Sequence, residues 1–237
     1  MHITIVGTGR AGTSFALALS RVGHELLLRH HDDAHAWVAT NLVLLCVPDD
    51  HLAAVAATVP RGHAVVAHCA GSRTLAVLGA HDRVGSLHPL VALPSGEVGA
   101  DRLVGATFAV AGDELVASLV RDLGGRVVDV RDEDRARYHA TACVAANHLV
   151  TLLAQVDRLA TSLGLQVEDF LPLATMALDD VRDRGPVTAL TGPASRGDLT
   201  TIDAHLASLP DSERALYVAL ANAALVVAEE RRIGAES

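Results

Sequence analysis

The stretch that decides the fold is ITIVGTGRAG, from Ile3 to Gly12. An apolar strand pattern runs into glycines spaced GxGxxG, and a helical pattern opens directly behind them. Gly7 supplies a tight turn, Gly9 lets the backbone approach a pyrophosphate, and Gly12 lets helix and strand pack closely. The expected cofactor-binding turn comprises Gly7, Thr8, Gly9, Arg10, Ala11 and Gly12. The pattern predicts a dinucleotide site, and the alternative is a glycine turn without a nucleotide.

Downstream of this turn, strand and helix patterns alternate up to residue 131. Seven runs rich in Val, Leu and Ile fit strands buried on both faces. They are His2–Gly7, Glu25–Arg29, Leu42–Val47, Ala64–His68, Arg83–Leu87, Ala106–Ala111 and Arg126–Val130. Helical spacing occurs in Arg10–Val22, Asp50–Val59 and Glu114–Leu123. Residues 1–131 are therefore predicted to form an α/β domain with a Rossmann-like, doubly wound parallel sheet.

Residues 132–237 are predicted to form an all-α C-terminal domain, because strand patterns stop there. A helix of about 30 residues is expected over Asp134–Leu163. The last helix carries YVALANAALVVA, from Tyr217 to Ala228, which is apolar almost all round. Such a helix is buried, either within the domain or against a second subunit. We favour a homodimer formed through the C-terminal helices.

The composition excludes several classes of protein. The net charge is −9 and aromatic residues make up 3% of the chain, so nucleic-acid binding is not expected. No apolar run reaches the length of a membrane span, and the first residues do not resemble a signal peptide, so we expect a soluble cytoplasmic protein. The chain contains no lysine, which excludes a Schiff-base lysine, a lysine general acid and a P-loop lysine. Its three widely spaced cysteines do not predict a disulfide framework or a zinc site.

The choice of dinucleotide is usually made at the end of the second strand. That strand ends here in Arg29, whose guanidinium suits a 2′-phosphate, so NADP is favoured and NAD remains the alternative. Val47 and Pro48, after the third strand, are expected beside the nicotinamide. The tract HHDDAH, His30 to His35, is similar to a metal site on paper, but we predict none.

Polar candidates for catalysis fall at strand ends and on the long helix. His68 in VVAHCAG and His88 in GSLHPL end neighbouring strands, where open α/β sheets bind ligands. His139, Cys143 and Asn147 are spaced i, i+4, i+8 on one predicted helix face, with Tyr138 beside them. His88, His139 and Asn147 are expected to be catalytic; His68, Cys143 and Arg196 are expected to bind substrate. Purely structural histidines, or an internal hydrogen-bond row, remain the alternatives.

The order of these motifs resembles a known family, across nearly the whole chain. The motifs are GTGRAG, CVPDD, AHCAG, SLHPL, YHATACVAANH and LTGPASRGD. The chain is similar to an uncharacterised NADP-binding oxidoreductase family with a Rossmann-like N-terminal domain and a helical C-terminal domain of unknown function. That family is related to pyrroline-5-carboxylate reductase and the 6-phosphogluconate-dehydrogenase-like superfamily. The resemblance implies NAD(P)H-dependent oxidation or reduction of a small molecule by a homodimer.

Three departures limit what the resemblance implies. The superfamily's β-hydroxyacid dehydrogenases carry a lysine where this chain has Cys143, so a lysine mechanism does not transfer. The segment between the second strand and LVLLCVPDD is short, and Ala70 stands where relatives often have serine. The sequence therefore predicts an NAD(P)H-dependent reductase of a small polar C=O or C=N compound, with a 2-oxo acid such as ketopantoate as an example. The competing hypothesis is a non-catalytic NAD(P)-binding sensor.

Overall fold

The computed structural model describes residues 1–33, 39–79, 81–94 and 96–235. The chain divides into two compact units, Met1–Ala146 and Asn147–Ser237. All strands belong to the first unit, and the described part of the second unit is helical. Strands end before residue 131, as predicted, but the helix that follows groups with the sheet, so the unit boundary differs from the predicted domain boundary.

The first unit is built on a seven-stranded sheet. Its strands are β1 His2–Val6, β2 Glu25–Arg29, β3 Leu42–Leu45, β4 Val65–His68, β5 Val84–Pro89, β6 Thr107–Gly112 and β7 Arg126–Asp129. They lie in the order β2-β1-β3-β4-β5-β6-β7. All pairs are parallel except β5 and β6, which are antiparallel. The predicted Rossmann-like fold is confirmed. The antiparallel pairing of β5 with β6 was not predicted, because an apolar run has the same pattern in either chain direction.

Helices cover the sheet and form the second unit. In the first unit they are α1 Arg10–Arg21, α2 Leu52–Thr58, α3 Gly96–Leu103, α4 Glu114–Asp122 and α5 Arg135–Cys143. In the second they are α6 Leu149–Ser162, α7 Leu171–Arg184, α8 Pro186–Ala189, α9 Gly192–Arg196, α10 Leu199–Ser208 and α11 Asp211–Ala235. Separate apolar clusters bury the two faces of the sheet, as in a doubly wound fold.

Helix α1 packs on the sheet through Phe15 and Leu19, which are fully buried. It ends where the sequence predicts, because Gly23 follows it with a φ of +89°. Close packing begins at Gly12: a Cβ there would lie 1.8 Å from the carbonyl oxygen of Gly7. Only glycine permits this crossing of helix and strand.

Two local features differ from the sequence pattern. Helix α2 begins at Leu52, with His51 as its N-cap residue, although helical spacing starts at Asp50. Helix α3 was not predicted, because Gly96 and Gly99 are poor helix formers in its short sequence. Asp198 caps α10, since its side chain accepts a hydrogen bond from the Thr201 amide.

The predicted long helix is interrupted by a π-helical turn, Val144–His148, between α5 and α6. The last helix, α11, contains the predicted apolar stretch, but Val218, Leu220 and Val226 are exposed in the single chain. Of the two alternatives for this stretch, burial within the domain is therefore wrong for these side chains. None of the helices in the described ranges combines the length and apolar character that crossing a membrane requires.

The glycine turn offers a test of the packing at α1. Gly12→Ala should lower the free energy of unfolding by about 1–3 kcal/mol or more, because the new methyl group overlaps the Gly7 carbonyl. The matched control is Gly9→Ala, whose Cβ meets no atom within 4 Å among the described residues, so it should unfold like the parent. Urea unfolding followed by circular dichroism measures both. Equal stability of the two variants would contradict this account.

Candidate active site

The glycine turn leaves the N-terminus of α1 open. Gly7 has a φ of +118°, and its amide donates to the carbonyl of Arg29 over 2.9 Å. A Cβ on Gly7 would lie 2.3 Å from the carbonyl oxygen of Cys46, which begins the turn after β3. Gly9 is the N-cap residue of α1. Free amides at such a terminus form an anion site, so the turn fits a pyrophosphate.

An open cavity of about 420 Å³ adjoins this turn at the carboxyl ends of β1, β3, β4 and β5. It is lined by Gly9, Arg10, Ala11, Phe15, Cys46, Pro48, Cys69, His88, Pro89, Val91 and Leu93. Thr8 is exposed at the same turn, and half-buried Val47 lies against Gly7. The cavity thus joins predicted cofactor residues to one predicted catalytic residue, His88. Its size is in the range of small-molecule sites.

Arg29 ends β2, as predicted, but its side chain is buried rather than open. Its guanidinium donates a hydrogen bond to the carbonyl of Asp33. The exposed groups beside it are His30 and Asp32, whose side chains lie 3.6 Å apart. The binding of a 2′-phosphate by Arg29 therefore stays a prediction.

His68 is the last residue of β4 and is fully buried. Its Nδ1 accepts a hydrogen bond from the Ala70 amide over 3.2 Å, which holds the ring toward the turn. Burial, and next the charge of Arg135, lower the pKa of His68 from 6.5 to about 4. The imidazole is therefore neutral at pH 7.

His88, on β5, pairs with Tyr138 on α5. The Tyr138 hydroxyl lies 2.7 Å from His88 Nδ1, and the two rings meet edge to face. Burial, with the neighbouring His139 and Arg135, lowers the pKa of His88 to about 4. Burial raises the pKa of Tyr138 to about 12. The pair therefore consists of a neutral imidazole and a neutral phenol at pH 7. In the sequence Tyr138 stands beside the predicted helix face of His139, Cys143 and Asn147, and no local pattern pairs it with His88.

His139 also lies against the His88 ring, with ring centroids 6.0 Å apart. Cys143 Sγ is 3.6 Å from His139 Nε2. Two of the three residues predicted to share one helix face are therefore in contact. Both histidine rings pack closely against Gly71. A Cβ on that residue would lie 2.6 Å from His139 Nδ1 and 2.8 Å from His88 Nε2. The turn after β4 must therefore be glycine for the two rings to approach.

Arg135 lies beneath this cluster and is 1% exposed. Its guanidinium donates to the Ser86 hydroxyl, two residues before His88 on β5. Its Nε and Nη1 have no hydrogen-bond partner among the described residues, nor has Asp132 Oδ1. Buried polar atoms of this kind are ordinarily satisfied by water or a ligand. Sequence reasoning missed Arg135 because nothing in the helix pattern marks it as buried.

Asn147 and Arg196 lie in the second unit, and both are exposed. The prediction that Asn147 shares a helix face with His139 and Cys143 requires an unbroken α-helix. The π-helical turn changes the periodicity after Cys143. Their roles stay predictions. In the described ranges, one group of three possible metal ligands has its ligand atoms within 4.8 Å: His30, His31 and Asp32. His35, from the same tract, lies outside the described residues.

The low pKa of His68 predicts a loss of stability in acid. The unfolded chain takes up a proton near pH 6.5, whereas the folded protein resists it down to about pH 4. The contribution is complete above pH 6.5, and about 2 kcal/mol of it is lost by roughly pH 5. His68→Asn, whose side-chain oxygen replaces Nδ1 as acceptor, should reduce this dependence and leave the part that His88 contributes, as measured by urea unfolding at a series of pH values. The exposed His63→Asn is the control; an unchanged slope in His68→Asn would contradict the assignment.

Solved structures with the same fold match nearly the whole chain. A protein from Bacteroides fragilis, provisionally described as an NADP oxidoreductase, is 24% identical, with a TM-score of 0.79 over 94% of this chain and 97% of its own. A protein from Thermotoga maritima is 23% identical, with a TM-score of 0.77 over 97% and 99%. Pyrroline-5-carboxylate reductase from Streptococcus pyogenes is 13% identical, with a TM-score of 0.65 over 95% and 98%. At these identities the likeness establishes the fold.

A search of curated proteins finds no match to this sequence. The profile of the family described as a domain of unknown function (DUF2520) matches residues 105–224, just over half of the chain. These residues include α5, which carries Arg135, Tyr138 and His139. The predicted resemblance is confirmed: a Rossmann-like unit precedes a helical region of unknown function, and the chain belongs to the DUF2520 family.

Proposed function

We propose that this protein is an NADP(H)-dependent oxidoreductase that reduces a small polar C=O or C=N compound. One observation carries the proposal: a single cavity is lined both by Gly9 and Arg10 of the glycine turn and by His88. The geometry of the turn suits a phosphate, and the contact between His88 and the Tyr138 hydroxyl suits proton transfer. The description of the Bacteroides fragilis protein as an NADP oxidoreductase agrees with it.

The residues of the glycine turn fit the nucleotide. The open space above Gly9 and the amides of α1 would hold the pyrophosphate, with the Arg10 side chain beside it. Val47 and Pro48 would border the nicotinamide, which supplies a hydride to the substrate when the cofactor is bound. NADP is favoured by the basic residues at the end of β2, with NAD as the alternative, since Arg29 already binds Asp33.

His88 and Tyr138 supply the proton. With Tyr138 donating to Nδ1, the hydrogen of the neutral ring lies on Nε2, from which it is available to the substrate oxygen or nitrogen. As Nε2 gives up its proton, Nδ1 takes the proton of the Tyr138 hydroxyl, and the phenolate then regains one from water. Both groups start neutral, so the relay needs no imidazolium. His139 packs against His88 and orients it.

The remaining candidates would hold the substrate. His68 lies near His88 and Cys143 lies beside His139, while Asn147 would orient the acceptor and Arg196 would bind a carboxylate, as in a 2-oxo acid. The competing function is a non-catalytic NAD(P) sensor. It is favoured by the absence of lysine from the chain and would leave the His88–Tyr138 pair without a use.

We further propose that the protein is a homodimer through its C-terminal helices. Large apolar side chains are exposed on α7 and α11, among them Leu173, Met176 and Val226. Exposed apolar area of this kind marks an interface. Light scattering should therefore give twice the chain mass of 24.7 kDa. A monomer at micromolar concentration would contradict this part of the proposal.

Cofactor binding is the first test. Titration with NADPH and NADH, followed by nicotinamide fluorescence, should show saturable binding that is tighter for NADPH. Gly9→Ala should weaken it by roughly tenfold or more, because the methyl group stands where the pyrophosphate approaches. Its unchanged unfolding curve separates this loss from misfolding. Binding of neither nucleotide would overturn the proposed function.

Catalysis is tested on the His–Tyr pair with a panel of carbonyl and imine substrates. Tyr138→Phe and His88→Asn should lower kcat by roughly a hundredfold, while NADPH affinity changes little. Tyr217→Phe is the matched control, because Tyr217 makes the same 2.7 Å contact with His205 in the second unit. Since the pKa of His88 is about 4, kcat should show no inflection near pH 6.5 from this residue. Equal kcat in Tyr138→Phe and Tyr217→Phe would contradict proton transfer through Tyr138. NADPH binding without turnover of any substrate would favour the non-catalytic sensor.

A further inference from the structure

Two of the three cysteines form a close pair that the proposed reaction does not use. Cys69 Sγ lies 3.7 Å from Cys46 Sγ. The sheet places them together: Leu45 at the end of β3 is in register with His68 at the end of β4, and each cysteine is the first residue after its strand. The Cys69 amide also donates to the Leu45 carbonyl, which ties the two strand ends to each other.

This placement permits a covalent bond between the two sulfurs. Neighbouring strands run about 4.8 Å apart, and the Cα atoms of disulfides are usually about 4.4–6.8 Å apart. The gap of 3.7 Å between the sulfurs can therefore close by side-chain rotation together with a small shift of the two strand ends. The third thiol, Cys143, is the neighbour of His139 on α5 and has no such partner thiol among the described residues.

Both cysteines line the open cavity beside Gly9 and His88. Cys69 is half-buried, whereas Cys46 is buried. The contact with Cys69, and next its burial, raise the pKa of Cys46, which keeps that residue a thiol. A small reagent that enters the cavity therefore meets Cys69 first.

We propose that Cys46 and Cys69 form a modification site for peroxides, at which hydrogen peroxide converts the two thiols into an intramolecular disulfide. The Cys69 thiolate attacks one peroxide oxygen; the O–O bond breaks, water leaves after protonation, and Cys69 becomes a sulfenic acid. The Cys46 sulfur then attacks the Cys69 sulfur, the S–O bond breaks, and the departing hydroxide takes the Cys46 proton. Two thiols thus lose two electrons and two protons, and one peroxide becomes two waters.

The pair is mechanically connected to the glycine turn. The Cys46 carbonyl lies against Gly7, and the Cys46 amide donates to the Val6 carbonyl over 2.7 Å. A shift of Cys46 toward Cys69 therefore presses on the turn that holds the nucleotide. It follows that the disulfide weakens NADPH binding and that bound NADPH shields the thiols. This consequence rests on the proposed function, whereas disulfide formation itself does not.

Peptide mapping of peroxide-treated full-length protein tests the site. Trypsin places the three cysteines on separate peptides, 30–61, 62–73 and 138–158. Non-reducing mass spectrometry should find peptides 30–61 and 62–73 linked, with a loss of two hydrogens that dithiothreitol reverses. Titratable thiols in the denatured protein should fall from three to one. Three remaining thiols, or oxidation confined to Cys143, would overturn the proposal.

Matched variants make the result specific. Cys143→Ser should still form the link, whereas Cys69→Ser should not. In Cys46→Ser the sulfenic acid on Cys69 has no partner thiol and should be trapped by dimedone. Absence of the link in Cys143→Ser would also overturn the site.

A parallel reaction with NADPH present tests the connection to the turn. Slower linking with NADPH, and weaker NADPH binding by the oxidised protein, support it. Linking at an equal rate, in protein shown by fluorescence to bind NADPH, would overturn the connection and leave the dithiol site intact. Failure to bind NADPH at all counts against the proposed function alone, because the link is read from the peptides.

Discussion

The contact between Gly12 of α1 and the Gly7 carbonyl is the constraint on which the rest of the first unit depends. It sets how closely the helix lies on the sheet, and so directs the open N-terminus of α1 toward the carboxyl ends of the central strands. The same turn is held from two sides, by the Arg29 carbonyl of β2 and by the Cys46 carbonyl after β3. The glycine turn, the cavity and the thiol pair therefore share one edge of the sheet.

A second constraint is the burial of Arg135. A guanidinium that is 1% exposed is costly unless it is paired, and the Ser86 hydroxyl is its hydrogen-bond partner on β5. That contact fixes α5 against β5, which brings Tyr138 to His88. Together with burial, the nearby charge keeps His68 and His88 neutral. One buried cation thus contributes both to the position of the candidate catalytic groups and to their protonation.

The sequence predicted the fold well because its determinants are local. Each strand is a continuous apolar run, and the GxGxxG turn has few alternative structures when a strand precedes it and a helix follows. The missed elements lack local determinants. Helix α3 contains two glycines, one of which approaches α1 so closely that a Cβ would lie 2.0 Å from the Ser14 hydroxyl. The direction of β6 depends on its neighbours and not on its own residues.

The contacts within the candidate site could not be predicted from local sequence patterns alone. The sequence by itself determined the Rossmann-like unit, the glycine turn and the strand-end positions of His68 and His88, because a period of apolar residues and a glycine spacing act over a few neighbouring residues. Only the tertiary structure decided that His88 pairs with Tyr138, that Arg135 is buried beneath them, and that Cys46 faces Cys69. These contacts join residues that are from 23 to 50 positions apart in the chain, and their partners are chosen by strand register and helix packing.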